Sequence, residues 1–171
     1  PEIIRFPMNM EKLNPDKLKE GDLEKMKATL RTSAKGYFKN YDLETDKKLL
    51  SAMLKQYFSV LDDNMRADVY ATIQNDFGGN YEDYAESVFK KSNFTSLEKV
   101  NAFLDSYSGA KSFKKIQKDP AHQLTMSLYN NYQSKVRPDL VRLNNDMNLL
   151  NRNYMEGLQI LLPKDKKYYP D

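Results

Sequence analysis

The chain has 171 residues, no cysteine and one histidine, and its 27 basic and 24 acidic side chains give a net charge of +3. The missing cysteines exclude disulfides, thiolate metal sites and a cysteine nucleophile, and the single histidine excludes a histidine-rich metal centre. Because the two signs of charge are intermixed, the pI near 8.9 does not indicate a nucleic-acid-binding or membrane-surface protein, and a mean hydropathy of −0.79 favours a water-soluble one.

The length suits one globular domain, which would bury roughly 70% of the surface of the unfolded chain. No basic segment followed by an apolar core opens the chain, and no apolar run approaches the length of a membrane span. We therefore expect neither a signal peptide nor a transmembrane helix within it. The sequence starts at Pro1 without an initiator Met, and we expect a piece of a longer protein.

Helical spacing of apolar residues predominates, and no stretch alternates for long enough to predict a strand. We predict an all-α protein, an irregular multi-helix bundle of about six to seven helices. Apolar residues from Leu23 to Tyr41 predict a first helix of about five turns. A second helix, 50–61, is opened by the stretch from Asp42 to Asp46. We expect these two helices to form a hairpin.

Three shorter helices are predicted next, at 69–77, 81–89 and 97–107. Gly78-Gly79 ends the first, because glycine tolerates the left-handed conformation of a helix end. Asn80 is the predicted N-cap of the second helix. Thr95 and Glu98 form a capping box before the third helix, which ends at Gly109.

The shorter helices thus occupy 1–110, residues 111–118 are predicted to be a linker or a short helix, and the longest element is predicted over 119–162. Its second half carries an apolar seam at uninterrupted 3-4 spacing, typical of a coiled-coil-like contact. The seam residues are Leu140, Leu143, Met147, Leu150, Tyr154, Gly157 and Leu161. The phase slips near Pro138, where we expect a kink because proline lacks an N–H and clashes with the preceding turn. Residues 163–171 are predicted to be an extended exit segment.

His122 would have to serve any Ser–His–Asp catalysis within this chain. It lies in the first turn of the predicted long helix, where the helix dipole disfavours its charged form. No Gly-x-Ser-x-Gly elbow is present, and nothing in the sequence supplies a carboxylate to orient the ring. We therefore predict a surface or capping histidine.

Two pairs of carboxylates, Asp62-Asp63 and Glu82 with Glu86, resemble an acid/base pair only in spacing, since catalysis needs two carboxyls in different environments across a substrate. Asp62-Asp63 also lacks the glycine and bidentate glutamate of a calcium loop. Gly78-Gly79 lacks the Gly-Lys-Ser/Thr ending of a phosphate loop. We predict no catalytic, cofactor-binding or metal-ligating residue in this chain.

Two further features are assigned to structure. The tripeptide Asn93-Phe94-Thr95 matches a glycosylation sequon, but such tripeptides are common and Thr95 already has a predicted capping role. The twelve tyrosines could stack bases or peptide side chains. Most of them fall on the apolar helical stripes, which predicts core rings with a solvated hydroxyl, and leaves Tyr168 and Tyr169 as the expected exposed pair.

Several segments in fixed order resemble successive landmarks of one family. They are Pro1 to Phe6, Lys118 to Leu124, Leu143-Asn144, Leu149 to Arg152, Tyr154 to Leu158, and Tyr168 to Asp171. The resemblance, densest from Lys118 onward, is to the α-helical domain of the bacterial serine-type dipeptidyl peptidases of types 7 and 11.

The resemblance implies a helical domain that is inserted in the parent into a chymotrypsin-like double β-barrel, with residues 168–171 leading to the second barrel. It implies a lid that covers the cleft of an exopeptidase releasing dipeptides from N-termini, in the periplasm or on the surface of a Gram-negative bacterium. The barrel domains and the peptide substrate would be its partners, and a homodimeric parent is compatible with it. Neither a cofactor, nucleic acid nor a membrane is expected.

The family's Ser, His and Asp triad has no counterpart here, so we expect the isolated chain to be inactive. The alternative is a free-standing α-helical interaction or dimerisation module that pairs through the 140–161 seam.

Overall fold

The computed structural model describes residues 2–19 and 21–162, and within these ranges the chain forms helices and no strand. The all-α prediction is therefore confirmed. Two four-residue helices precede eight helices of nine or more residues in the described part. They are α1 Glu2–Arg5, α2 Pro7–Met10, α3 Leu23–Phe38, α4 Leu43–Val60, α5 Val69–Phe77, α6 Tyr81–Lys91, α7 Leu97–Asp105, α8 Ala110–Lys118, α9 Pro120–Asn131 and α10 Arg137–Leu161.

The chain divides into two compact units, Pro1–Asn131 and Tyr132–Asp171. Two hydrophobic clusters fill the first unit. One gathers residues of α4, α5, α6 and α9, including Leu50, Phe58 and Ile73. The other gathers residues of α3, α7 and α8, including Leu30 and Leu104.

The N-terminal segment, residues 2–13, is helical and contributes to both clusters, although the sequence analysis assigned no element to it. Ile3 belongs to the first cluster, and Phe6, Met10 and Leu13 belong to the second. All four are at most 1% exposed. Their 3-4-3 spacing is the helical signal that could have found this segment, which is broken into α1, α2 and the 3₁₀ turn Glu11–Leu13.

The hairpin predicted for the first two long helices is wrong. The main partner of α3 is α7, and that of α4 is α6. The reason is that the apolar faces of α3 and α4 enter different clusters, Leu30 and Ala34 of α3 in the second and Leu50 and Leu54 of α4 in the first. The first helix also ends at Phe38, one turn before the predicted Tyr41.

Helix ends follow the sequence signals at several positions. The Asp42 carboxylate accepts the Thr45 N–H at 2.7 Å, and the Asn80 side chain accepts two N–H groups at the start of α6. Gly78 closes α5 in the left-handed conformation, with φ of 59°. These three predicted ends are confirmed.

The start of α7 lies one residue later than the predicted capping box. Ser96 is the N-cap and accepts the Lys99 N–H at 3.2 Å, whereas the Thr95 hydroxyl is buried and accepts from the Lys99 ammonium at 2.9 Å. The Glu98 carboxylate accepts from its own backbone and from Ser96, which lowers its pKa. Gly109 does not end α7 but precedes α8, with φ of 98°.

Residues 111–118, predicted to be a linker or a short helix, form α8, which buries Phe113 and Ile116. The predicted long helix 119–162 is divided by a π-helical turn, Tyr132–Val136, between α9 and α10. The irregularity lies one turn before Pro138, because the proline ring excludes a regular turn immediately upstream of it. These changes raise the helix count above the predicted six to seven.

No residue of α10 is buried among the described residues, and the predicted seam is exposed except at Gly157, which is half-buried. The predicted exit segment 163–171, including Tyr168 and Tyr169, lies outside the described residues.

Candidate functional site

His122 is 4% exposed and lies in the first turn of α9, so the surface position predicted for it is wrong. Its Nε2 lies 2.6 Å from the Oε1 of Glu11. The N-terminal segment covers the ring because α1 and α2 pack against α9. The sequence analysis missed Glu11 because 111 residues separate the two side chains in the chain.

The second ring nitrogen of His122, Nδ1, is buried and has no hydrogen-bond partner among the described residues. A serine-protease relay needs one imidazole nitrogen on a carboxylate and the other on the nucleophile's hydroxyl. Here the carboxylate is present, and Nδ1 meets neither a hydroxyl nor solvent. This geometry joins the N-terminal segment to α9.

An open groove of about 1280 Å³ runs beside this pair, lined mainly by α5, α6 and α9. His122 and Glu11 contribute to its wall. Asp68 and Asp76 contribute negative charge to this wall, and Lys91 contributes positive charge. Since these charges do not share one sign, the groove selects neither an anionic nor a cationic ligand class.

The paired carboxylates predicted from spacing serve separate contacts. Glu86 on α6 lies 2.6 Å from the Lys47 ammonium on α4. A hydrogen bond to Glu86, and a second one to Glu44 with a smaller effect, raise the pKa of the Lys47 ammonium. Asp63 pairs with Arg66 within one turn. The structure therefore brings neither pair together across a cleft.

The glycines and the sequon also have local roles. Gly78 and Gly79 have positive φ values of 59° and 79° at the end of α5, which is the punctuation predicted. The Asn93 side-chain amide donates to the Asp119 carboxylate at 3.3 Å.

In the described part of the chain, no group of three or more acidic or histidine side chains could hold a metal ion.

Buried carboxylates that join distant segments are the polar feature that the sequence analysis missed. Asp46, 5% exposed, accepts the backbone N–H groups of Glu2 and Ile3 at 2.7 and 2.9 Å, and the Tyr41 hydroxyl at 3.1 Å. Asp119, 3% exposed, accepts from the Ser92 hydroxyl at 2.7 Å. Asp119 stands at the predicted start of the long helix 119–162, and its contact with Ser92, 27 residues earlier in the chain, was not predicted.

Tyrosine rings pack into the clusters as predicted, except near α10, but the solvated hydroxyl predicted for the core rings is wrong for Tyr37 and Tyr107, whose hydroxyls are buried. Burial raises the pKa of Tyr37 and Tyr84, and burial together with the nearby Asp46 carboxylate raises that of Tyr41. Tyr154, in contrast, is 64% exposed.

Helices in the described ranges are all too short or too polar to cross a bilayer.

Comparison with known proteins adds a family. The Peptidase S46 family matches residues 2–171. The chain is 30% identical to a Dipeptidyl-peptidase 7 of Phocaeicola vulgatus, over 84% of this chain and 20% of that protein. It is 26% identical to an Asp/Glu-specific dipeptidyl-peptidase of Porphyromonas gingivalis, over 78% of this chain and 18% of that protein.

A Dipeptidyl-peptidase 7 of Porphyromonas gingivalis is 31% identical, over 74% of this chain and 17% of that protein. The chain therefore spans no more than about a fifth of the length of these curated relatives.

Proposed function

The chain belongs to the Peptidase S46 family, and on that premise we propose that it is a helical domain of a longer serine-type dipeptidyl peptidase. The parent would release dipeptides from the free N-termini of peptides, in the periplasm or at the surface of a Gram-negative bacterium. The observation that carries the proposal is the family match over residues 2–171 in a chain that spans about a fifth of relatives named as dipeptidyl peptidases.

We assign this domain the role of a lid over the active-site cleft, and we place the reacting groups in the β-barrel part of the parent. Two observations support this division. Among the residues that the structure describes, the Nε2 of His122 lies on the Glu11 carboxylate and its Nδ1 has no hydroxyl partner. The first unit has two packed hydrophobic clusters, which suit a rigid wall that admits an N-terminus and blocks a continuing chain.

The activity is tested by giving the longer protein two versions of one peptide, with a free and with an acetylated N-terminus. We expect dipeptides from the free peptide and none from the blocked one. Cleavage of the blocked peptide at internal bonds, or no cleavage of either, would contradict the proposal. The 171-residue chain should give no turnover, and turnover that is lost in His122→Ala would place catalysis in this chain.

The lid role is tested by replacing residues 2–162 of the longer protein with a short flexible linker. We expect the variant to accept the acetylated peptide, because the wall that stops a continuing chain has been removed. Labelling by a fluorophosphonate reports whether the catalytic serine is still activated. A variant that labels normally and still rejects the blocked peptide contradicts the lid role.

The exposed seam of α10 favours one alternative, a free-standing module that dimerises through residues 140–161. Light scattering of the 171-residue chain separates the two functions. A dimer that Leu143→Asp or Leu150→Asp dissociates would support the alternative, and a monomer would exclude it.

A further inference from the structure

α8 carries all of its charge as lysine, on one side of the helix. Residues 110–118 include four lysines and no acidic side chain. Because a helix turns by about 100° per residue, their spacing places the four side chains within one arc of about 100°. We call this set the α8 lysine stripe. Its members are exposed and are Lys111, Lys114, Lys115 and Lys118.

The opposite side of α8 fixes the direction of the stripe. Phe113 and Ile116 are 6% and 0% exposed and belong to the second hydrophobic cluster. The stripe therefore points away from that cluster, and α8 cannot rotate to bury it without exposing both apolar side chains. This orientation depends only on contacts within the first unit.

The stripe has no negative partner among the described residues. Other helices pair a lysine with an acid one turn away, as Lys27 pairs with Glu24 in α3 at 2.9 Å. No ion pair in the part of the chain that the structure describes involves a lysine of the stripe. Asp119, which follows the stripe, is buried and already accepts hydrogen bonds from another segment.

The arrangement of the lysines works against the helix that carries them. Like charges three or four residues apart repel across one turn, and the stripe contains four such pairs. The helix dipole favours Lys115 and Lys118 in the last turn but disfavours Lys111 in the first. Helix stability therefore does not explain the stripe, and an anionic partner would relieve the repulsion.

The second unit does not match the stripe in charge. Residues 132–171 carry seven basic and five acidic side chains. Since the net charge of this unit is also positive, charge complementarity points to a partner that is not part of this chain.

The composition of α8 favours an acidic polypeptide over a bilayer or a nucleic acid. A helix that lies on a bilayer inserts its apolar face, and that face of α8 is occupied by the second cluster. Arginine is the residue of choice for phosphate and nucleic-acid recognition, because its planar fork matches phosphate, and α8 contains no arginine. Lysine ammonium groups on flexible stems suit carboxylates whose positions are not fixed.

The stripe ends at a concave surface of the first unit. Gln117 and Lys118 line the open groove of about 1280 Å³, together with Lys91 in the last turn of α6. An extended chain that lies along the stripe can continue into this groove, whereas a bilayer cannot follow a concave surface.

We propose that the α8 lysine stripe is a docking surface for an acidic peptide segment, which pairs its carboxylates with the stripe and continues into the groove at Lys118. The stripe selects the negative charge of the segment, and the groove, with its mixed charges, selects its extended shape. The inference goes beyond the proposed function, because it assigns a binding surface and requires no catalysis.

Peptide binding to the longer protein tests this surface. The probe is a fluorescent peptide of alternating glutamate and glycine, acetylated so that dipeptide release cannot consume it, and its glutamine counterpart is the uncharged reference. Lys114→Gln with Lys115→Gln removes two charges from the stripe. Lys48→Gln with Lys55→Gln is the matched control, since it removes the same charge from exposed positions of α4. Fluorescence anisotropy gives the Kd at low and at high salt.

We expect the glutamate peptide to bind at low salt and its glutamine counterpart not to bind. The stripe variant should weaken binding at least about threefold, since exposed ion pairs are individually weak and are screened by salt. The control variant should bind as the unsubstituted protein does. Equal weakening in both variants would overturn the inference, because net charge rather than the stripe would then govern binding. So would no binding of the glutamate peptide, or stripe-dependent binding of phosphatidylglycerol vesicles or single-stranded DNA in its place.

Thermal unfolding of the longer protein shows whether the stripe variant is folded. The double substitution removes all four like-charge pairs, so its Tm should equal or exceed that of the unsubstituted protein. A lower Tm would overturn the argument from repulsion on which the inference depends.

Dipeptide release from an uncharged peptide with a free N-terminus is measured in parallel on the unsubstituted longer protein. Absence of that activity contradicts the proposed function, whereas the binding pattern of the two variants alone decides the docking surface.

Discussion

Two buried carboxylates, Asp46 and Asp119, accept hydrogen bonds that join distant segments of the first unit. Asp46 on α4 accepts both N–H groups at the start of α1, which an N-cap would normally satisfy from within the same segment. Asp119 accepts the Ala121 N–H at 3.0 Å and the Asn93 N–H at 2.7 Å. Asp46 therefore ties the backbone of α1 to α4, and Asp119 satisfies backbone donors on two segments and holds them together.

Replacing Asp119 by alanine is expected to lower the free energy of unfolding by about 2–4 kcal/mol, because α9 loses its N-cap and the donors of Ser92 and Asn93 lose their acceptor. Urea unfolding followed by circular dichroism measures the change. Asp22→Ala is the matched control, since Asp22 precedes α3 and makes no side-chain capping bond. It should change stability by no more than about 0.5 kcal/mol, and equal losses in both variants would refute this role of Asp119.

The buried tyrosines predict a loss of stability in alkali. Burial raises the pKa of Tyr84, which is 6% exposed, above its ordinary value. Its contribution is therefore fully present below the unfolded pKa of about 10 and declines as pH rises above that value, because only the unfolded chain ionises readily there. Tyr84→Phe should make the loss between pH 9 and pH 11 smaller by about 1 kcal/mol.

Tyr154→Phe is the control for that measurement, because Tyr154 is 64% exposed on α10. Its free energy of unfolding should follow the same pH course as the unsubstituted chain. If Tyr84→Phe also follows that course, burial of the Tyr84 hydroxyl is not the cause of the loss of stability between pH 9 and pH 11.

At the scale of the helix, local signals and packing signals differ in how well they can be read. The N-cap at Asp42 and the glycine end at Gly78 involve atoms within three to five residues, so the sequence predicts them correctly. The pairing of α3 with α7 depends on which cluster each apolar face enters. That choice depends on residues far apart in the chain, and helical periodicity does not contain it.

The two glycines Gly78 and Gly36 provide a test of this local reading. Gly78→Ala should cost about 1–2 kcal/mol, because alanine is strained at the φ of 59° that closes α5. Gly36→Ala should raise stability by about 0.5–1 kcal/mol, because Gly36 lies within α3 and nothing approaches its missing Cβ within 4 Å. Thermal unfolding of the two variants gives the signs, and a stabilising Gly78→Ala would contradict the cap.

Across the whole chain, helical periodicity does not predict which residues the fold buries and which it leaves exposed. His122 was expected at the surface and is buried because Glu11, in a segment with no predicted helix, packs over it. The 3-4 spacing from Leu140 to Leu161 was recognised, yet spacing alone does not determine whether a helix face is covered. Both depend on contacts between distant segments rather than on local pattern.

The N-terminal segment makes several of these long-range contacts. Substitutions of two methionines test how much this segment contributes to the free energy of unfolding. Met10 is fully buried in the second cluster, whereas Met147 on α10 is 59% exposed. Met10→Ala should lower the free energy of unfolding by about 2–5 kcal/mol, through lost burial and the cavity that remains. Met147→Ala in the 171-residue chain should change it by no more than about 0.5 kcal/mol. Equal effects of the two substitutions on urea unfolding would mean that the segment is not part of the cooperative core, and that His122 and Glu11 join it to α9 without stabilising the fold.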